Sequence, residues 1–310
     1  MAERKPKHEQ HLYVKLPSNE YCIDSILISR SGLVITKETE DATRITPNVA
    51  STLKTVADFL DALPIILSDK LSDEKVEENI IYSRHNVPVV NKETFRELIS
   101  GTKLPLVYFT HGGVYVKVNG SKLKELREKV GLSRGELAWR IGVSNKAIAN
   151  YEEGESDVSL EVAWKLEEIF GDEIFEELSM KSLKEIFNEK IKALEIEPRD
   201  VVLRALFSEL REYGFRNYVF LKAPFDAGVK FVQEKIKIKI AIKKEPASEE
   251  VELASEVSEK TQTPLVVISS SKEDVEGHEN LFFVQGKDPH KIRDVILRIY
   301  HREEQRSLSS

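Results

Sequence analysis

The sequence predicts α/β (α+β) domains at the two ends of the chain and an all-α domain between them. The chain has 310 residues, more than one hydrophobic core usually holds. Strand-like apolar runs alternate with helical patterns near both ends, whereas short helical patterns follow one another in the middle. We therefore predict an α/β domain over 1–118, a helical domain with connecting helices over 119–197, and a second α/β domain over 198–310.

Composition and charge exclude several classes of protein. The chain is 41% hydrophobic and 32% charged, which is typical of a globular protein rather than a disordered one. No apolar run approaches the roughly 20 residues that a membrane span needs, and we expect neither a span nor a secretory signal. Cys22 is the only cysteine, which excludes an intrachain disulfide and a multi-cysteine zinc site and favours a cytoplasmic protein. The net charge of −7 argues against an unspecific coat on nucleic acid.

The first segment is predicted to contain two hairpins with a Pro-led buried strand between them. Its helices follow the spacing of an amphipathic face, and its strands are short apolar runs. In chain order we predict strands 22–29 and 33–36, helix 49–63, strands 64–67 and 87–90, helix 94–99, and strands 104–109 and 113–118.

The last segment has a similar order of elements. Strand, helix, Pro-led buried strand, strand and short helix recur, so the third domain is interpreted as a possible repeat of the first. The alternative is that any two α/β segments look alike at this level. In chain order we predict helix 201–213, strands 218–221 and 235–242, helix 251–260, strands 264–269 and 281–285, and helix 289–300.

The middle segment carries the strongest local signals. Ser133 is a good helix N-cap, and Glu136 three residues later completes a capping box. Ala138 is small where two helices must cross closely, and Gly142 can adopt the positive φ of a sharp turn. Ser144 then caps a third helix, and helical patterns over 160–170 and 172–194 follow.

Residues 126–154 carry the frame L-R-x-x-x-G-L-S-x-x-E-L-A-x-x-I-G-V-S-x-x-x-I-x-x-Y-E-x-G. This frame resembles the DNA-binding domain of Cro/cI-type repressors. The resemblance implies a helix-turn-helix whose third helix, 144–152, enters the major groove. The positions that match base-reading residues are Asn145, Lys146 and Asn150. Asn can bond adenine through two hydrogen bonds, and Lys can bond the O6 and N7 atoms of guanine.

The same resemblance implies four further roles. Ser144 and Arg134 match positions that contact the phosphate backbone, and Arg127 and Glu152 match a structural ion pair between the first and third helices. Residues 122–150 carry seven basic and three acidic residues, a net charge of +4, whereas residues 151–170 carry seven acidic residues and one lysine, a net charge of −6. A basic side for DNA fits this distribution, although four of the acids lie in the loop after the third helix. The alternative is that the helical unit packs against protein partners only.

The order of elements in both flanking segments resembles the PD-(D/E)xK nuclease core. That core needs an acid on a hairpin and an E-x-K motif on the next strand, so that two carboxylates can hold Mg²⁺. Asp24 with Lys37, and Asp226 with Lys243, match in part, but no Glu stands two residues before either lysine. Glu38 and Glu245 lie beyond the lysines, and a one-residue slip would place them on the opposite face. The resemblance therefore implies inactive cores used for binding or dimerisation.

Other chemistry is sparse in this sequence. His85 and His111 are isolated, Ser269–Ser271 is more typical of a plain loop than of a ligand site, and no phosphate-binding glycine motif is present. We expect no catalytic residue, no metal site and no cofactor. Whether a small-molecule effector binds is left open.

The whole pattern, with a Cro/cI-type domain in mid-chain, resembles a family of archaeal regulators. The resemblance implies a transcriptional regulator that binds double-stranded DNA in a sequence-specific way, and not an enzyme. We predict a homodimer on half-sites about 34 Å apart, with the dimer contact on the 181–194 face or the α/β domains. The alternatives are a DNA-targeted or degenerate nuclease-like protein, or a protein-interaction scaffold that uses the helical domain.

Overall fold

The computed structural model describes residues 12–17, 21–29, 31–188, 197–233, 236–244, 247–270 and 280–308. The fold is mixed α/β, as predicted. It divides into two compact units that do not follow the order of the chain. Unit 1 comprises Met1–Lys37, Thr46–Pro64 and Ile191–Ser310, and unit 2 comprises Glu38–Ile45 and Ile65–Lys190. The division into domains 1–118, 119–197 and 198–310 stays a prediction.

The strands and helices have the following bounds. The strands are β1 (Leu12–Lys15), β2 (Ser25–Ser29), β3 (Gly32–Asp41), β4 (Leu63–Leu71), β5 (Glu74–Lys75), β6 (Ile80–Arg84), β7 (Val87–Val90), β8 (Val107–Thr110), β9 (Gly113–Val116), β10 (Val158–Ser159), β11 (Arg216–Val219), β12 (Ala227–Gln233), β13 (Ile236–Lys244), β14 (Leu265–Ser269) and β15 (Leu281–Gln285). The helices are α1 (Pro47–Leu60), α2 (Lys92–Ser100), α3 (Gly120–Lys129), α4 (Arg134–Ile141), α5 (Asn145–Glu153), α6 (Leu160–Phe170), α7 (Met180–Asn188), α8 (Val201–Glu212), α9 (Ser248–Thr261) and α10 (Pro289–Leu308).

Several predicted elements differ from the structure in their bounds; the strand predicted over 33–36 extends to Asp41, and the helix predicted over 289–300 extends to Leu308. The helix predicted over 49–63 ends at Leu60, because Asp61 adopts a left-handed conformation with φ of 61°, which ends the helical hydrogen-bond pattern. The continuous helix predicted over 172–194 is wrong, since a 3₁₀ turn at Asp172–Ile174 precedes α7. Residues 189–194 lie outside the described part of the chain. No helix in the described residues has the length and apolar composition to cross a membrane.

Unit 1 contains a five-stranded sheet with the order β11-β12-β13-β14-β15. The first three strands are antiparallel neighbours, and β13, β14 and β15 are parallel. Every second residue of β12 and of β13, for example Val229 and Ile240, faces a hydrophobic core to which α8 and α10 also contribute. The prediction omitted β12, whose Ala-Gly start has low strand propensity, but the strand is paired on both sides.

The opposite face of this sheet contacts α1, which lies more than 150 residues earlier in the chain. The ring of Phe59, fully buried, lies 5.4 Å from that of Tyr218 and 5.2 Å from that of Phe220. The C-terminal end of α1 accepts hydrogen bonds from two lysines of the sheet: Lys230 donates to Asp61 Oδ1 at 2.8 Å, and Lys239 to Leu60 O at 3.2 Å. Cations at this end of a helix are favourable because it carries partial negative charge.

The β2–β3 and β12–β13 hairpins have a corresponding backbone hydrogen bond, made by the aspartate that precedes the first strand. Asp24 N donates to Thr36 O at 2.8 Å, and Asp226 N donates to Ile242 O at 3.0 Å. Both helices that follow the hairpins, α1 and α9, end in a left-handed residue, Asp61 in one and Gln262 in the other. Left-handed ends also occur at α2, α4 and α5, so these features do not distinguish a repeat, which stays a prediction.

Unit 2 contains the sheet order β4-β7-β6-β8-β9-β10, beside which the chain forms α3 to α6. Val116 and Val118 belong to the same hydrophobic core as Leu123, Ile141 and Leu166 of these helices. The prediction that the central segment is all-α is not confirmed, because the two-residue strand β10 follows α5 and pairs with β9.

Candidate nucleic-acid interface

The helices α4 and α5 form a sharp helix-turn-helix. The α4 N-terminus has the predicted capping box, in which Ser133 Oγ accepts from Glu136 N at 3.1 Å and the Glu136 carboxylate accepts from Ser133 N at 2.7 Å. Gly142 ends α4 with φ of 76°, and its N–H donates to Ala138 O. Ser144 caps α5 by accepting from Ala147 N at 3.1 Å. The two caps and the glycine therefore fix the angle at which α5 leaves α4.

The first residues of α5 point away from the core. Ser144, Asn145 and Lys146 are exposed, whereas Ile148 in the next half-turn is fully buried. Asn150, one turn further along, is half-buried. The arrangement presents amide and ammonium groups, which can bond base edges, at the N-terminal end of one helix. Their roles in DNA binding stay predictions.

Glu152 of α5 joins three helices through two arginines. Arg127 Nε of α3 donates to Glu152 Oε1, and its Nη2 donates to Oε2 at 3.2 Å. Arg134 Nε of α4 donates to Glu152 Oε2 at 2.7 Å. Burial would raise the pKa of Glu152, but the hydrogen bonds from the two guanidinium groups outweigh burial and hold the pKa below its usual value. The Glu152 carboxylate is therefore charged at neutral pH. Arg134, a predicted phosphate contact, is thus also bound to a carboxylate of the protein itself.

The four acids predicted in a loop after the third helix lie partly in that helix, because α5 extends to Glu153 and only Glu155 and Asp157 follow it. Glu152 is committed to the two arginines, and Asp157 accepts a hydrogen bond of 2.6 Å from the Tyr108 hydroxyl of β8. Glu153 and Glu155 are exposed. Glu153 also lies 3.7 Å from Arg134, so three of the four acids counted against DNA binding contact other side chains of the protein. Burial and the bond to Asp157 raise the pKa of Tyr108, which stays protonated as the donor.

Two contacts at this site have no counterpart among the sequence predictions. Gly120, the first residue of α3, lies so close to the end of α5 that a Cβ atom there would stand 2.4 Å from Tyr151 O. Tyr108 lies 49 residues before Asp157. A single sequence carries no signal for either contact, because each depends on how distant segments approach one another. Asn119 caps the start of α3 by accepting from Lys122 N at 2.9 Å.

At the positions that match the PD-(D/E)xK motif, each lysine is paired with the aspartate of its own hairpin. Lys37 Nζ donates to Asp24 Oδ1 at 2.8 Å, and Lys243 Nζ lies 3.6 Å from Asp226 Oδ1. The residues two before these lysines are Ile35 and Ala241, both fully buried and apolar. Lys243 also lies 3.4 Å from Glu250 of α9, and Glu245 is outside the described residues. Among the described residues no group of three or more potential metal ligands is found.

The histidines predicted to be isolated occupy turns. His85 lies in the β6–β7 turn with φ of 50°, and its Nε2 is 3.0 Å from Ile45 O. His111 is exposed in the β8–β9 turn. In the part of the chain that the structure describes, neither histidine belongs to a cluster that could hold a metal ion.

Two family models match separate parts of the chain. Residues 7–105 match a PD-(D/E)XK superfamily domain, and residues 123–174 match a helix-turn-helix domain. The first match confirms the nuclease-like resemblance of the N-terminal segment, and the second confirms the position of the helix-turn-helix.

Archaeal proteins are similar over most of the chain. A Pyrococcus furiosus protein is 31% identical over 283 residues, which cover 90% of this chain and 85% of that protein. A Methanocaldococcus jannaschii protein is 29% identical over 299 residues, covering 93% and 90%. A Thermococcus kodakarensis protein is 36% identical over 207 residues, 66% of this chain and 63% of that protein, so the match spans slightly under two thirds of that relative. The names of these relatives, which are provisional, describe HTH-type transcriptional regulatory proteins.

Proposed function

Because the chain belongs to the archaeal family of HTH-type transcriptional regulatory proteins, we propose that it is a sequence-specific DNA-binding regulator. The observation that carries the proposal is the exposed Asn145–Lys146 pair at the capped start of α5, on a segment with net charge +4. In this proposal Asn145, Lys146 and Asn150 bond base edges in the major groove, and Ser144 and Arg134 bond the phosphate backbone. The protein acts without a cofactor and is not an enzyme.

The proposed partner is double-stranded DNA bound by a homodimer. A single recognition helix contacts only a few base pairs, and a two-fold pair of helices on half-sites one turn apart doubles the contacts. Each well-placed bidentate pair contributes about 1–3 kcal/mol of discrimination against a wrong base. The homodimer is a proposal about the full chain, with the α/β segments as the contact; the predicted alternative, the apolar face of 181–194, is not available in its described part, because Leu183 and Phe187 are fully buried within the chain.

The proposal is tested by selection from a random duplex library at near-physiological salt. Wild type is compared with the triple variant Asn145→Ala/Lys146→Ala/Asn150→Ala. We expect wild type to enrich a motif with dyad symmetry and the triple variant to lose it, because all three base-reading side chains are removed while Ile148, which holds α5 in the core, is kept. Circular dichroism melting of both proteins checks that the variant is folded.

The opposite result has a definite meaning. If neither protein enriches a motif and both bind a defined protein partner equally well, the helical domain is an interaction scaffold and the regulator proposal fails. A motif without dyad symmetry, recovered with a monomer in analytical ultracentrifugation, would leave DNA reading intact and remove the homodimer.

We propose that the two α/β segments are copies of one nuclease-like core that no longer cuts DNA. The supporting observation is the pair of Asp–Lys contacts, Asp24–Lys37 and Asp226–Lys243, with Ile35 and Ala241 in place of the second carboxylate. Ile35 and Ala241 cannot supply the second Mg²⁺ carboxylate that the motif places on the strand, and the Glu250 carboxylate near Asp226 is paired with Lys243. We expect plasmid and linear duplex incubated with the protein and Mg²⁺ to stay intact. Mg²⁺-dependent cutting that Asp226→Ala abolishes would overturn the proposal.

A further inference from the structure

One carboxylate on α5, the proposed recognition helix, forms ion pairs with two arginines. The Glu152 side chain is 1% exposed and bonds both Arg127 and Arg134. Arg127 also lies 3.4 Å from Glu128 Oε1, and Arg134 lies 3.7 Å from Glu153 Oε1, so the two guanidinium groups contact three carboxylates in all. Arg127 is 8% exposed and also donates to Leu132 O at 2.8 Å, whereas Arg134 is 35% exposed. Of the two arginines, Arg134 is therefore the one that a ligand from solvent can reach.

The two acids that contact Arg134 use the same edge of its guanidinium group. Nε donates to Glu152 at 2.7 Å, and Nη2 lies 3.7 Å from Glu153 Oε1. Within the described residues, Nη1 of Arg134 has no hydrogen-bond partner. A guanidinium group is planar and has five N–H donors in a fixed fork, so an acid on one edge leaves the donors on the other edge available and correctly oriented.

We infer that Glu152 is a positioning residue for DNA binding, which holds the Arg134 guanidinium so that its Nη1 edge bonds a phosphate of the duplex. The inference rests on the proposed function. It gives Glu152 a second role, exerted through Arg134, beside its structural bond to Arg127. It also predicts that lysine cannot replace arginine at residue 134. The single ammonium of a lysine would be neutralised by Glu152, with no second edge for the phosphate.

A double-mutant cycle tests the inference. Affinity for a short mixed-sequence duplex is measured by fluorescence anisotropy over a range of KCl concentrations for wild type, Arg134→Gln, Glu152→Gln and the double variant, all as full chains. Loss of one phosphate contact reduces the slope of log K against log salt by about 0.9. We expect Arg134→Gln and Glu152→Gln each to show this reduction and to bind about tenfold more weakly, the loss of one charge-assisted contact.

The double variant separates positioning from support of the fold. If Glu152 acts through Arg134, the double variant binds within about twofold of Arg134→Gln. If Glu152 only supports the fold through Arg127, its substitution weakens binding by the same factor whichever residue occupies position 134, and the inference is overturned. Wild type that binds no duplex in a salt-dependent way would overturn the proposed function as well.

A second variant applies where Glu152→Gln does not fold, as judged by circular dichroism. Arg134→Lys keeps the charge but lacks the second edge. We expect its affinity to lie within about threefold of Arg134→Gln, because Glu152 takes the single ammonium group and leaves no second donor edge for the phosphate. Arg134→Lys that binds like wild type would contradict the positioning role.

Discussion

Replacing Gly120 by alanine is expected to destabilise unit 2 by about 3 kcal/mol, at the upper end of the usual cost of overpacking. The added Cβ would stand 2.4 Å from Tyr151 O and 2.6 Å from Glu152 O. These are backbone atoms of α5, so the clash cannot be relieved by rotating a side chain. Either α3 or α5 must move, and each movement strains the bonds of Glu152 to Arg127 and Arg134. Urea unfolding of the full chain, followed by circular dichroism, measures the change in the free energy of unfolding.

The matched control for this prediction is Gly135→Ala. Gly135 lies within α4 and is exposed, and a Cβ atom there would have only Ser133 Oγ nearby, at 3.9 Å. Alanine there is expected to stabilise the chain by about 0.5–1 kcal/mol, because glycine is the poorer helix former. Equal midpoints for wild type and Gly120→Ala would show that α3 and α5 do not approach as closely as the structure has them.

The parts of the site that could be predicted from sequence are those that depend on neighbouring residues. The Ser133–Glu136 capping box, the left-handed Gly142 and the Ser144 cap each involve residues within three or four positions, and each lies where the sequence indicates. Short-range hydrogen bonds of this kind depend little on the rest of the fold, so residue types alone specify them. The same holds for the exposed start of α5.

The parts that could not be predicted depend on approach between distant segments. The bond from Arg134 to Glu152 spans 18 residues, and that from Tyr108 to Asp157 spans 49. In the sequence Arg134 is simply a cation at the start of a helix, and nothing indicates that an acid of α5 takes its Nε edge. Strand β12 was missed for a related reason, because pairing on both sides overrides the weak propensity of Ala227 and Gly228.

The grouping of distant segments in unit 1 also could not be predicted from the sequence. Helix α1 was predicted from its own apolar spacing, but its partner surface lies on strands that begin more than 150 residues later. Gly228 of β12 has no side chain where the Phe59 ring lies, and a Cβ there would stand 2.6 Å from Phe59 Cε2. A glycine in a strand often marks such a close approach, but the sequence cannot say what approaches.

Replacing Phe59 by alanine is therefore expected to destabilise unit 1 by about 3–5 kcal/mol, the usual cost of removing a fully buried phenylalanine ring. The ring is fully buried and contacts the rings of Tyr218, Phe220 and Phe225. Because these contacts join α1 to β11 and β12, hydrogen exchange of the full-length variant should accelerate over residues 216–233 as well as over 47–60. Acceleration confined to residues 47–60 would contradict the packing of α1 against that sheet.

The control on the same helix is Asn48→Ala. Asn48 is exposed in the first turn of α1, far along the helix from Phe59, and its substitution should change the free energy of unfolding by less than about 0.5 kcal/mol. If both variants destabilise the chain equally, the loss comes from the helix itself and not from its contact with the sheet. A large loss in Phe59→Ala alone, with exchange spreading to β11 and β12, means that α1 and the five-stranded sheet contribute to one cooperative structure, in agreement with their grouping in unit 1.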